Sequence, residues 1–392
     1  MPDPSGPSSN ANRRHLYGLD GVRVAAALLV IVYHLAIQQA PIGDRAAALP
    51  TILLPIARSG WVGVQIFFVL SGFVIAESAI GRSRRAFLRS RFIRLYPAIL
   101  ICASLTTAVA LTAGDRLPGQ GLSLFVRTVL LVPFEPWVDS PYWSLFIELC
   151  FYGVVGACLS PLGPRRMNVV IYGIGLASAA FWMAWLGART GLVAGPAADM
   201  LSTLSKLWIA MLLLLQHGCF FALGAGIRHI RRSPATASSI VVTILCGIAC
   251  LIQIYVSASW SAMTDVWHWP ATIFACGVAG VVLADVFAPR PRRRVANIIK
   301  TAGLMTYPLY LLHAKIGDIM ITTMLRHGVP VSVALALAIA AVFAIALVVT
   351  HWLERPIRRG LAKSLTQMPA GGSAEPMGAA SPVQAIRPVP SS

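Results

Sequence analysis

Residues 60–75 read GWVGVQIFFVLSGFVI, from Gly60 to Ile75, with no charged side chain among them. A helix rises about 1.5 Å per residue, so about 20 apolar residues cross the hydrocarbon core of a bilayer. The stretch therefore predicts a membrane-spanning helix near residues 60–80.

The same pattern recurs on both sides of it. Further spans are expected near 20–39, 94–113, 142–160, 168–187, 205–227, 237–257, 269–288, 302–324 and 331–352. The fold class that follows is all-α: a polytopic transmembrane bundle of about ten spans. Composition agrees, because 57% of the 392 residues are hydrophobic and 12% charged, too little charge to cover a soluble protein of this size. Val22 to Ala36 is long and no small-residue cleavage site follows, so it reads as an uncleaved first span rather than a signal peptide.

The formal net charge of +18 has a topological reading. Arginines gather in alternate loops: Arg82, Arg84, Arg85, Arg89, Arg91 and Arg94, then Arg165 and Arg166, then Arg228, Arg231 and Arg232, then Arg290 to Arg294, then Arg355, Arg358 and Arg359. Ten spans put every cluster inside, together with both termini. The charge sits in loops and not on a soluble domain, which argues against a nucleic-acid partner. Leu122 to Val132 is apolar but too short to span, and an eleventh crossing there would invert every later cluster; it reads as interfacial or re-entrant. Residues 1–18 and 361–392 read as disordered cytoplasmic tails around a transmembrane domain of 19–360. All seven cysteines fall in apolar runs, and no ligand set for a metal is legible.

Ionisable residues inside spans are costly and become functional candidates. They are Arg23, His34, Glu77, Glu148, His217, His313 and Glu354. His34 lies about 8 Å and Glu148 about 9 Å from the outer ends of their spans, by helical rise. A carboxylate at that depth would hold an imidazole's tautomer and make it a base for a hydroxyl proton. The plainer alternative is a His–Glu pair that only joins helices. Arg23 lies about 16 Å inward of His34. With Arg91 and Arg94 it would bind a polyanion at the inner face, the alternative being topology and lipid headgroups.

Six blocks in register then resemble one family. Leu19-Asp20-Gly21-Val22-Arg23, with His34 beyond it, is similar to the opening motif of the acyltransferase-3 family of membrane O-acyltransferases. Residues 60–75 resemble its FFVLSGF signature, and RSRFIRLYP (Arg89 to Pro97) its paired arginines before Tyr-Pro. YWSLFIELCFY (Tyr142 to Tyr152), TYPLYLLH (Thr306 to His313) and LERPIRR (Leu353 to Arg359) complete the set.

The resemblance implies transfer of an acyl group, acetyl by default, from cytoplasmic acyl-CoA to a carbohydrate hydroxyl at a bacterial plasma membrane. It implies His34 and Glu148 as catalytic residues and Arg23, Arg91 and Arg94 as acyl-CoA ligands. Acyl-CoA would be a co-substrate, with no permanently bound cofactor. Ser71, Trp143, Ser144, Tyr310 and His313 are candidates to line the pore or the acceptor path. Gln65 stands where many relatives carry an acidic residue. A covalent acyl intermediate stays open beside direct transfer. The competing function is a proton-coupled secondary transporter of a glycan or small molecule, which would also use intramembrane His and Glu.

Overall fold

The computed structural model describes residues 16–38, 45–79, 81–159, 163–260, 264–287 and 291–367. Most of both expected tails, and the side chain of Glu77, lie outside the described residues. Among the described residues the regular structure is entirely helical.

Helix α1 (Tyr17–Val32) continues into a wide π-helical turn, Tyr33–Gln38. A short α2 (Leu54–Arg58) bends by 51° into α3 (Val62–Ala79). Next come α4 (Arg84–Thr112), α5 (Pro118–Val129), α6 (Tyr142–Cys158) and α7 (Gly163–Arg189). Then α8 (Pro196–Lys206), α9 (Trp208–Leu212) and α10 (Gly218–Arg232) follow. The chain closes with α11 (Ala237–Trp260), α12 (His268–Phe287), α13 (Arg293–Arg326) and α14 (Val331–Val348). A second π turn, Val349–Glu354, leads into α15 (Arg355–Gln367).

Among the described residues six helices are long and apolar enough to cross a membrane, and the bent α2–α3 pair makes seven. Helix α6 is apolar but shorter, at 17 residues. Helix α13 mixes its apolar residues with Tyr307, Tyr310, His313, Lys315 and Asp318, and α10 ends in Arg228, Arg231 and Arg232. Polar content, rather than length, separates α13 from the six.

Two expectations are corrected, and a third, the interfacial or re-entrant stretch, takes a definite form. The span expected over 205–227 is broken: α9 ends at Leu212 and α10 begins at Gly218, with Leu214 at φ +57° between them. The carbonyl of Gln216 in the break is taken by Trp182 Nε1 at 2.9 Å, so packing supplies a partner that the lost helix does not. Residues 361–367 are helical within α15, not tail. The apolar stretch 122–132 is mostly α5, an amphipathic helix beside α4, where Gly121 meets the Leu111 side chain. Its Arg127 holds the carbonyls of Phe134, Glu135 and Pro136 at 3.0–3.2 Å.

The helices share two ends. At the arginine-rich end Gly18 packs on Ala284, Gly303 on Asp20, and Arg228 pairs with Asp285 at 2.6 Å. At the far end Arg45 pairs with Asp318 and Lys315 with Asp115. Helices α1, α3, α4, α6 and α13 surround a central cavity. Helix α10 covers the back of α3 at very short range: a Cβ on Gly72 would fall 2.0 Å from the Phe221 carbonyl oxygen, and one on Gly224 2.0 Å from that of Val69. Small residues allow such backbone approach where lipid gives helices no hydrophobic push together.

Candidate active site

The central cavity has a volume of about 100 Å³ and runs along the helices from arginine to tyrosine. Its arginine-rich end is lined by Arg23 and Arg94. Arg23 is anchored by Asp20, one turn earlier on α1, at 2.8 Å. Arg91 does not line the cavity. It is buried, donates to Ser78 Oγ at 2.7 Å, and its guanidinium lies over the rings of Phe87 (5.3 Å) and Tyr152 (5.8 Å). Arg91 thus braces α4 against α3 and α6, while Arg94, one turn on, is the arginine of the pair that faces the cavity.

Deeper in, Glu148 Oε1 accepts hydrogen bonds from Ser71 Oγ at 2.8 Å and from the Tyr152 hydroxyl. One turn beyond Glu148 on α6, Ser144 Oγ and the Tyr310 hydroxyl share a hydrogen bond of 2.7 Å. Ser71, Ser144 and Tyr310 all line the cavity, as expected of them. Trp143 does not; it faces the other side of α6, 5.4 Å from the His217 ring.

His313, also expected to line the cavity, does not, and neither does His34; both lie beyond the Ser144–Tyr310 bond. The two rings meet edge to face with centroids 4.9 Å apart, and the Tyr310 ring is 5.7 Å from His313. His34 is 7% exposed and His313 fully buried. His34 Nδ1 is 2.9 Å from the Val30 carbonyl oxygen, and His313 Nδ1 is 2.8 Å from that of Tyr310. A carbonyl only accepts, so each Nδ1 carries the hydrogen and each Nε2 keeps its lone pair. His313 Nε2 has no hydrogen-bond partner.

The expected pairing of His34 with Glu148 is therefore replaced. The Val30 carbonyl fixes the His34 tautomer, and Glu148 lies about 6 Å (one helical turn) inward of Ser144, bonded to Ser71 and Tyr152. Counting residues from span ends could not see this offset, because the tilt and register of each helix are set by what it packs on. The His34–His313 pair was also not legible as a pair. Its only trace in the sequence is an ionisable residue in each of two spans.

Arg45 is a basic residue between the first two apolar runs, with no mark of a role in the sequence. It is fully buried. It donates to the Leu35 carbonyl at 3.3 Å, Asp318 Oδ1 at 2.8 Å and Thr322 Oγ1 at 3.1 Å. Leu35 belongs to the π turn that carries His34, so Arg45 ties that turn to α13. Among the described residues no group of three or more His, Cys, Asp or Glu could hold a metal.

A helical bundle whose cavity is cationic at one end and lined at the other by Ser144 and Tyr310, with two imidazoles packed behind Tyr310, suits group transfer from an anionic donor. Comparison with known sequences gives the class. The chain belongs to the acyltransferase-3 family, whose acyltransferase domain matches residues 16–353. It is an acyltransferase and a membrane protein. It is similar to the acyltransferase MdmB of Streptomyces mycarofaciens, 29% identical over 76% of this chain and 78% of that protein. It is similar to the peptidoglycan O-acetyltransferase OatA of Listeria monocytogenes, 24% identical over 89% of this chain but only 56% of the longer relative. A membrane-bound transacylase, BcsY of Komagataeibacter xylinus, is 25% identical over 77% of this chain and 72% of its own length. No solved structure matches the chain.

Proposed function

We propose that this protein takes an acyl group, acetyl by default, from cytoplasmic acyl-CoA and transfers it to a hydroxyl of a carbohydrate in or beyond the plasma membrane. The observation that supports this most is the order of groups along the bundle: Arg23 and Arg94, then Glu148 with Ser71, then Ser144 with Tyr310 along one cavity, with His313 and His34 packed behind Tyr310. Names such as peptidoglycan O-acetyltransferase among the relatives favour a carbohydrate acceptor.

In this reading the chain crosses the membrane ten times: α1, α2–α3, α4, α6, α7, α8–α10, α11, α12, α13 and α14. The arginine-rich end faces the cytoplasm, where positive loops are retained, and both termini lie there. Arg23 and Arg94 bind the donor's phosphates, with Arg91 holding α4 in register behind them. The thioester arm extends along the cavity past Glu148 toward Ser144 and Tyr310. The acceptor hydroxyl approaches from the far end. His34 Nε2 takes its proton as the oxygen attacks the thioester carbonyl carbon. The carbon–sulfur bond breaks, the acyl group stays on the acceptor oxygen, and the proton passes to the leaving thiolate. His313 screens the His34 ring from other partners and keeps its edge aligned. A transporter would need none of this donor chemistry, and family membership argues against it.

The test compares O-acyl esters on cell-surface carbohydrate by NMR in cells carrying wild type, His34→Ala or no copy of the gene. The expected result is ester in the first only, with normal membrane insertion of the variant. Ester at wild-type level in the His34→Ala cells would remove His34 from the reaction.

A further inference from the structure

A second cavity lies on the other side of α3 and α6. Its volume is about 510 Å³, and α7, the end of α8, α9, the break before α10, α11 and the loop before α6 complete its wall. The two cavities share a partition. Ser144 and Phe68 face the first, while their neighbours Trp143 and Gln65 face the second. The Phe68 ring stands between them, 6.2 Å from that of Trp143 and 5.2 Å from that of His217.

The second cavity contains buried polar atoms that the fold leaves unused. Gln65 is 4% exposed and Gln253 3%, and the side-chain oxygen of each has no hydrogen-bond partner. Gln253 spends its amide nitrogen on Ser257 Oγ at 2.9 Å, which leaves the oxygen facing outward from that bond. Nδ1 of His217, also buried, is likewise without a partner. Leaving an acceptor buried and unpaired costs about 1–3 kcal/mol, so a ligand that donates hydrogen bonds has two acceptors waiting, with His217 Nδ1 donating or accepting according to its tautomer.

A second, independent feature marks the same place. The break between α9 and α10 occurs here, with Met211, Gln216 and His217 on the cavity wall. Non-helical backbone at membrane depth is tolerated where it is packed in protein or lines a cavity.

The wall chemistry selects the ligand class. The lining holds no lysine or arginine and a single carboxylate, Glu135, which disfavours an anion such as the acyl-CoA phosphates. It carries Trp137, Trp143, Trp182 and Trp208, broad faces on which the C–H side of a sugar ring stacks. An acyl chain would cover the indoles but leave both glutamine oxygens unpaired; a sugar's hydroxyls donate to them. The volume falls within the range of small-molecule sites, about 300–1,000 Å³.

We propose that this second cavity binds neutral sugar residues of the acceptor carbohydrate, next to the acyl path and separated from it by Phe68 and Trp143. This rests on the acyltransferase reading above for the acceptor's identity, but the binding is measured apart from transfer.

The experiment uses the full-length protein in nanodiscs. Its tryptophan fluorescence is titrated with neutral oligosaccharides released from the source cell's own envelope carbohydrate, and separately with acetyl-CoA and a lysophospholipid. The expected result is a saturable change with the oligosaccharides, weakened tenfold or more in Gln65→Leu and Gln253→Leu. Both substitutions replace a buried amide by a hydrocarbon of similar size, so the fold is kept, and monodisperse elution confirms it. Acetyl-CoA binding stays unchanged in both variants. No saturable change with the oligosaccharides, unaltered binding in both variants, or saturation by the lysophospholipid instead overturns the proposal. Wild type that binds oligosaccharide but acylates no carbohydrate would overturn the acyltransfer reading and leave this site standing. Variants with wild-type transfer and an unchanged KM for acceptor would do the reverse.

Discussion

At the scale of single residues, a backbone carbonyl has the role first expected of a carboxylate. Val30 holds the tautomer of His34, and a backbone atom leaves no mark in the pattern of side chains. Arg45 is the side chain that steadies the π turn around His34. Arg45→Ala would strand Asp318 and the Leu35 carbonyl, and breaking a buried pair from one side costs about 3–5 kcal/mol. Asp318 is partly exposed, so the lower end is expected, about 3 kcal/mol, read as a clear fall in Tm of the detergent-solubilised protein. Arg45→Lys should recover part of it.

Asp139, in the loop before α6, gives a pH signature. Burial raises its carboxyl to about 7, against the pull of backbone N–H donors from Lys315 and Ser140. The unfolded chain titrates near the ordinary 3.8. Between these values the folded protein holds a proton that the unfolded chain has lost, so stability falls as pH rises toward 7 and levels off above it. Thermal melts from pH 5 to 8 should show that slope in wild type and lose it in Asp139→Asn.

At the scale of elements, the tightest joint is α3 against α10. A methyl group at Gly72 or Gly224 would meet backbone carbonyl oxygen at 2.0 Å, and backbone has no rotamer with which to yield. Gly72→Ala and Gly224→Ala are each expected to cost about 2 kcal/mol or more. Gly153→Ala and Gly173→Ala, with open space around the new carbon, should melt like wild type. The arginines that end α10 also have an element-scale role beyond topology: Arg228 and Arg231 clamp Asp285 at 2.6 and 2.7 Å and fasten α10 to α12. The broken span was hidden because Leu212 to Leu215 is as apolar as any helix interior. Hydropathy reports burial and not backbone path.

At the scale of the whole molecule, the proposed topology of ten crossings with the arginines inside makes a labelling prediction. In a background without native cysteines, Ser233→Cys in the loop after α10 should be shielded from a membrane-impermeant maleimide in intact cells. His327→Cys, after α13, should react. The reverse pattern, or equal labelling, would break the topology. At the same scale, Arg23→Gln and Arg94→Gln should raise the KM for acyl-CoA about tenfold each, the size of a lost charge-assisted hydrogen bond. Arg91→Gln should act chiefly through stability, because its partners are Ser78 and two aromatic rings.

The sequence alone established the helical class, the apolar runs within a few residues of most helix bounds, and the arginine-rich loops. Those are properties of composition and period, and they survive in one dimension because a bilayer filters residues by polarity at each depth. It also marked Arg23, His34, Glu148, Tyr310 and His313, since an ionisable or hydroxylated residue in an apolar run stands out wherever it packs. Only the tertiary structure decided who meets whom. It placed His34 on His313, moved Glu148 to Ser71 and Tyr152, turned Arg91 away from the cavity, buried Arg45, and broke the span before Gly218 beside a second cavity. Those partners come from helices far apart in the chain, and their register depends on close packing, which no single stretch of sequence records.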